Sequence, residues 1–140
     1  MAVRMELSRI LIRELTDMQL IELREVGAAD PDLARSFPIV IGLPEAQAIE
    51  RRLKGLTIKR PQTHDLLASV IGQLGGELVS ITITDLSEHT FFAALNVRQN
   101  GETIAIDARP SDAIALGVAM DVPIFVEEHV LEAAAKDEEE

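Results

Sequence analysis

The sequence predicts one compact α+β domain, a mixed and largely antiparallel sheet carrying about three helices. Three observations carry that reading. Apolar and polar residues alternate in register through 77–86, 90–99 and 103–108, as half-buried strands require. Asn100-Gly101 and Ser87-Glu88-His89 fall between those runs as hairpin turns. The helical segments are few and separated by extended ones, so helices and strands do not alternate as in a doubly wound fold. At 140 residues the chain suits one domain, long enough to bury roughly two-thirds of its unfolded surface.

Taken in order, MELSRILIREL at 5–15 and MQLIELREV at 18–26 read as strands joined by a turn at Thr16-Asp17. The polar stretch 27–36 is a loop broken by Gly27 and Pro31. FPIVIG at 37–42 is a short continuous apolar run, the pattern of a strand buried on both faces. Pro44 and Glu45 suit the first turn of a helix. Its buried stripe would be Ala46, Ile49, Leu53 and Leu56, ending at Gly55. Thr63 is placed to cap a second helix over 64–74, which Gly75-Gly76 stops. After the hairpin strands, 111–120 is a small-residue helix, 122–128 an extended segment and 129–136 a short closing helix. The acids from 127 onward suggest a solvated end, which sets the domain at 1–130 and an acidic tail at 131–140.

Composition narrows the function. There is no cysteine, hence no disulfide framework, redox thiol or cysteine–zinc site. No apolar run approaches the ~20 residues of a membrane span, and the N-terminus lacks the apolar segment of a secretory signal. A cytoplasmic protein is the expectation. The net charge of −11 argues against loose nucleic-acid binding, but its distribution is uneven. Residues 1–60 hold ten basic and nine acidic residues, whereas 61–140 hold three and fifteen. Residues 51–60, RRLKGLTIKR, carry five basic residues and no acid.

The densest chemistry lies in IDARPSDAIAL at 106–116. A strand ends at Asp107, turns through Arg109-Pro110, and enters a helix whose first turn carries Ser111 and Asp112. FPIVIGLPEAQAI at 37–49 repeats the order strand, turn, Pro, acid, helix. That echo suggests an internal duplication, although Pro with an acid at a helix start is common in itself.

FPIVIGLPEAQAI, RPQTHDLL, IDARPSDAIAL and the following PIFVEE together resemble the bifunctional nuclease domain family over about residues 3–130. The resemblance implies a compact α+β domain of unusual topology, self-association, and degradation of RNA and DNA as in some plant members. It brings no assignment of catalytic residues, so these are reasoned from the chemistry. Phosphodiester hydrolysis needs positive charge on the phosphate and a base or metal to activate water. His64, Asp107 and Asp112 are the catalytic candidates, His64 as general acid or base. Asp107 and Asp112 could share Mg²⁺ or Mn²⁺. Lys59, Arg60, Arg109 and Ser111 would contact substrate, and no organic cofactor is implied. The expected partners are RNA or DNA and further copies of the chain, with no membrane.

Each assignment has a bland competitor. Asp112 and Glu45 serve helix N-termini in any case, an Asp107–Arg109 pair would merely fix the corner, and Thr63 is a cap. His89 and His129 read as surface residues. The rival function is a non-catalytic homo-oligomeric module that recognises a protein or a small anion.

Overall fold

The computed structural model describes residues 1–13, 15, 18–56 and 59–139. The expected turn at Thr16-Asp17 lies outside the described residues. The chain forms an antiparallel meander of β1 (Ala2–Leu11), β2 (Gln19–Glu25) and β3 (Ser36–Ile41), followed by α1 (Leu43–Lys54) and α2 (Thr63–Gln73). A second meander of β4 (Glu77–Ser87), β5 (Thr90–Gln99) and β6 (Glu102–Ala108) leads into α3 (Pro110–Met120). The chain closes with β7 (Ile124–Glu127) and α4 (Glu128–Glu139).

The strands join in one mixed sheet of order β3-β2-β1-β7-β4-β5-β6. β7 sits between the meanders, antiparallel to β1 and parallel to β4. The two strand–turn–helix copies seen in the sequence are thus the two edge strands, β3 and β6, each feeding a helix. Both hairpin turns of the second meander use positive φ, at Glu88 and His89 and at Asn100 and Gly101, the geometry that matches strand twist.

One side of each strand except β6 supplies the core. Phe37, Ile39 and Ile41, then Ile21 and Leu23, Met5, Ile124 and Val126, Ile81 and Ile83, and Ala93, Leu95 and Val97 are buried along it. The sheet curls enough to bring its far strands together: Phe37 of β3 stacks on Phe91 of β5 with ring centroids 5.4 Å apart. Inside the curl lies α3, buried from Pro110 through Gly117 except Asp112 and packed against α1, α2, β4 and β5. A helix apolar on every side has to be enclosed in this way.

Three readings are corrected. β3 buries one face only, with Val40 exposed; it is an edge strand, where Pro38 costs no ladder bond. In α1 the buried residues are Ala46, Ala48 and Ile49, while Leu53 and Leu56 are exposed, because small residues let α1 approach α3. The acidic end is helical through Glu139, and Val130, Leu131 and Ala134 are core residues. The boundary expected at 130/131 therefore falls inside α4. Arg35 holds the start of that helix, giving hydrogen bonds to Glu128 at 2.6 and 3.3 Å while also pairing with Glu25 of β2. Because α4 closes the core, Leu131→Ala should cost about 2–5 kcal/mol in equilibrium urea unfolding. A loss below ~0.5 kcal/mol would make α4 an appendage.

Candidate functional site

The first turns of α1, α2 and α3 meet at one place, each contributing a polar side chain. Pro44 and Pro110 start α1 and α3 at positions where a missing N–H is harmless. Glu45 and Asp112 follow in those first turns, where carboxylates are favoured by the helix dipole. Arg109, the residue before α3, joins them. Its Nε donates to Asp112 Oδ2 at 2.9 Å, and its Nη2 donates to Glu45 Oε1 at 2.9 Å and Asp112 Oδ1 at 3.2 Å. From α2, His64 Nε2 lies 2.8 Å from Asp112 Oδ1.

The burial is graded. Glu45 and His64 are mostly covered, at 14% and 18% side-chain exposure, and Asp112 is at 28%. Arg109 stands at 67%, so one face of its guanidinium is open to solvent. Burial pushes the Asp112 carboxyl up, but hydrogen bonds from Arg109 and His64 together with their charges outweigh it and hold the pKa below its ordinary 3.8. Asp112 and then Glu45 raise the Arg109 guanidinium above its usual value.

The sequence candidates divide. His64, Arg109 and Asp112 are brought together. Ser111 lies beside them, 6% exposed. Asp107 sits on exposed β6, paired through its backbone with Ala94, and its carboxylate bonds to no described residue. The Asp107–Arg109 pair is replaced by Arg109–Asp112, one helical turn on, because Arg109 precedes α3 and its side chain follows the helix rather than the strand. Lys59 and Arg60 are exposed in the connection before α2. Lys59 lines a depression of about 280 Å³ with Arg51, Arg52 and Asp65. Asp65 pairs with Arg52 and accepts from the Gln62 N–H at 3.0 Å. The α2 cap is therefore Gln62 with Asp65, and Thr63 is the first helical residue. His129 and His89 are exposed, near Asp85 and Asp137 respectively. Glu45 is the member of the cluster that sequence reasoning left as a helix-end acid. Its signal was the echo itself, since it holds in α1 the third-residue place that Asp112 holds in α3.

A divalent cation fits these donors poorly. Both Asp112 oxygens are engaged by Arg109 or His64, so a cation there would have to displace a guanidinium. Among the described residues no three His, Asp or Glu side chains converge as ligands.

The bifunctional nuclease domain model matches residues 28–139. The chain belongs to that family. The match takes in α1, α2, α3 and α4 and every residue of the cluster, and leaves β1 and β2 outside it. An uncharacterized protein of Mycobacterium tuberculosis is 45% identical over 100 residues, 71% of this chain and 59% of that protein. Bifunctional nuclease 1 of Arabidopsis thaliana is 25% identical over 97 residues, 67% of this chain and 30% of the plant protein. Bifunctional nuclease 2 of Oryza sativa subsp. japonica is 28% identical over 93 residues, 64% and 29% of the two chains. The chain thus spans about three-fifths of the mycobacterial relative and under a third of the plant ones. No helix among the described residues is long and apolar enough to cross a membrane.

The lowered Asp112 pKa gives a signed expectation. A carboxyl depressed by folding adds stability that is full above 3.8 and is lost as pH falls through the lower folded value. Carbon-detected NMR should find Asp112 titrating below 3.8 in the wild type, and upward of that position in Arg109→Gln. An unchanged titration in the variant would remove Arg109 as the cause.

Proposed function

We propose that the protein hydrolyses phosphodiester bonds of RNA or DNA, with His64 as general base and Arg109 as the phosphate-gripping residue. Family membership supports the substrate class, and the His64–Asp112 pair carries the mechanism. A carboxylate that stays ionised accepts hydrogen bonds only, so Nε2 of His64 is the nitrogen bearing hydrogen. Neutral imidazole then keeps a lone pair on Nδ1, which bonds to no described residue. That lone pair takes a proton from the attacking water as its oxygen bonds to phosphorus, and the leaving oxygen departs with a proton from solvent. Asp112 stabilises the imidazolium that results.

The open face of Arg109 meets the non-bridging oxygens, with two carboxylates behind it holding the guanidinium plane in place. Arg51, Arg52, Lys59 and Arg60 offer the strand a basic approach to an otherwise acidic molecule. No step is routed through Mg²⁺ or Mn²⁺. A cation carried by Asp107 enters the proposal as a comparison: Asp107→Asn should then lose activity only where Mg²⁺ or Mn²⁺ is present.

The direct test is cleavage of labelled single-stranded RNA by protein free of contaminating nuclease, with Mg²⁺, Mn²⁺ or EDTA. His64→Gln should lower kcat about 10²–10⁴-fold with little change in melting temperature. Equal rates for His64→Gln and wild type would sink the assignment.

One observation bears on self-association, which the non-catalytic reading shares with the nuclease reading. α2 buries no residue completely, and Leu66, Val70 and Leu74 stay exposed on it. Its end is tied to β5 by a hydrogen bond from Gln99 Nε2 to the Leu74 carbonyl. Beyond it Ile104 and Ile106, on the core side of β6, are also exposed. A homo-oligomer covering this apolar surface is part of the proposal under either reading. Sedimentation across a range of concentrations should show association in the wild type and its loss in Val70→Glu. A wild type that stays monomeric throughout removes the idea.

A further inference from the structure

Beside Arg109 the curled sheet leaves a seam. β6 pairs with β5 only as far as Ala93↔Ala108, because the chain there turns away into α3. Thr90 to Phe92 therefore have no neighbour on that side. The free edge of β3 comes up to them, and the space between is a cleft of about 490 Å³. Ile39, Phe91 and Pro110 form apolar wall, while Arg109, Ser111 and His89 supply the polar part. This volume is in the range of small-ligand sites, about 300–1,000 Å³.

Ser111 decides what the polar end is for. It is 94% covered, yet its hydroxyl bonds to no described residue. No fully enclosed side-chain oxygen or nitrogen among the described residues lacks a partner. The Ser111 hydroxyl therefore reaches the surface, and the surface it lines is this cleft. The backbone beside it is in the same condition. α3 has no side-chain cap, and after Pro110 the N–H groups of Ser111 and Asp112 have no helical carbonyl to bond, the first such bond being Ala113 N–H to Arg109 O. An unbonded hydroxyl, uncapped N–H groups at the positive end of an eleven-residue helix and an exposed guanidinium together make a site for an oxyanion.

We propose that this cleft holds one nucleotide unit of a single-stranded nucleic acid. Its phosphate lies on the Ser111 hydroxyl, the α3 N-terminus and Arg109, and its base lies along Phe91 and Pro110. The proposal rests on the nuclease reading and extends it: Arg109 belongs to both places, so a strand seated in the cleft presents a neighbouring phosphate to His64. Glu45 and Asp112 are not repulsive obstacles of full strength, because each is already paired with Arg109.

Amide NMR on the whole chain in EDTA tests it, first with inorganic phosphate and then with 5′-phosphorylated tetrathymidylate. Phosphate should shift the Ser111 and Asp112 amides, and the tetranucleotide should shift those together with Thr90 and Phe91. Shifts with phosphate and none at Thr90 or Phe91 with the tetranucleotide would leave a bare anion site and refute the nucleotide. Ser111→Val should weaken tetranucleotide binding about tenfold or more, the loss expected for a hydrogen bond to a charged group, and Ser111→Thr should restore it. If Ser111→Val does not fold, the wild-type shift map decides alone. Shifts confined to residues 51–60 would overturn the proposal even if the protein cleaves RNA, and the nuclease reading would then stand without it. Binding in the cleft with no cleavage under any metal condition would do the reverse.

Discussion

The rest of the architecture answers to the lack of a polar face on α3. Pro110, Ser111, Ala113, Ile114, Ala115, Leu116 and Gly117 are all buried, so no orientation on one side of a flat sheet would shelter them. Each large aliphatic side chain taken out of water is worth about 1.5–3 kcal/mol. That gain favours curling the sheet around the helix, at the cost of leaving its edges near one another without joining. The seam and the cleft beside the N-terminus of α3 are consequences of that enclosure.

Against such burial the ion pairs are minor in stability. Exposed pairs contribute roughly 0–1 kcal/mol each, and Arg109 is two-thirds exposed. The Glu45–Arg109–Asp112–His64 chain is better understood as positional. It ties together the starts of three helices and fixes one guanidinium, one carboxylate and one imidazole in mutual register. A side chain held from two sides would lose little freedom on meeting the phosphate proposed for it, which is how a preorganised site gains over a flexible one.

The two meanders give that site its near-symmetry. β3 leads into α1 and β6 into α3 from opposite edges of the sheet, and each helix places an acid in its first turn. One arginine serves both acids because it occurs in only one copy: Gly42 stands before α1 where Arg109 stands before α3. The divergence between the copies, rather than their likeness, creates the open guanidinium face.

Much of this was readable from local patterns. Alternation placed β4, β5 and β6, and Asn100-Gly101 placed their turn, because strand period and turn φ depend on neighbouring residues. The corner at 107–112 was likewise visible, since Pro110 and Asp112 signal a helix start within a few positions. The partner of Asp112 was not. His64 lies 48 residues away, and only the packing of α2 on α3 brings it there. The nearer Asp107 was drawn off by the pleat of β6, which no motif encodes. The α4 boundary was misread for a related reason: its acids are local and conspicuous, whereas the burial of Val130, Leu131 and Ala134 exists only once the curled sheet supplies something to bury them against. Short-range stereochemistry is written residue by residue along the chain; contacts between distant helices come from how the whole apolar surface closes, and that closure has no local sign.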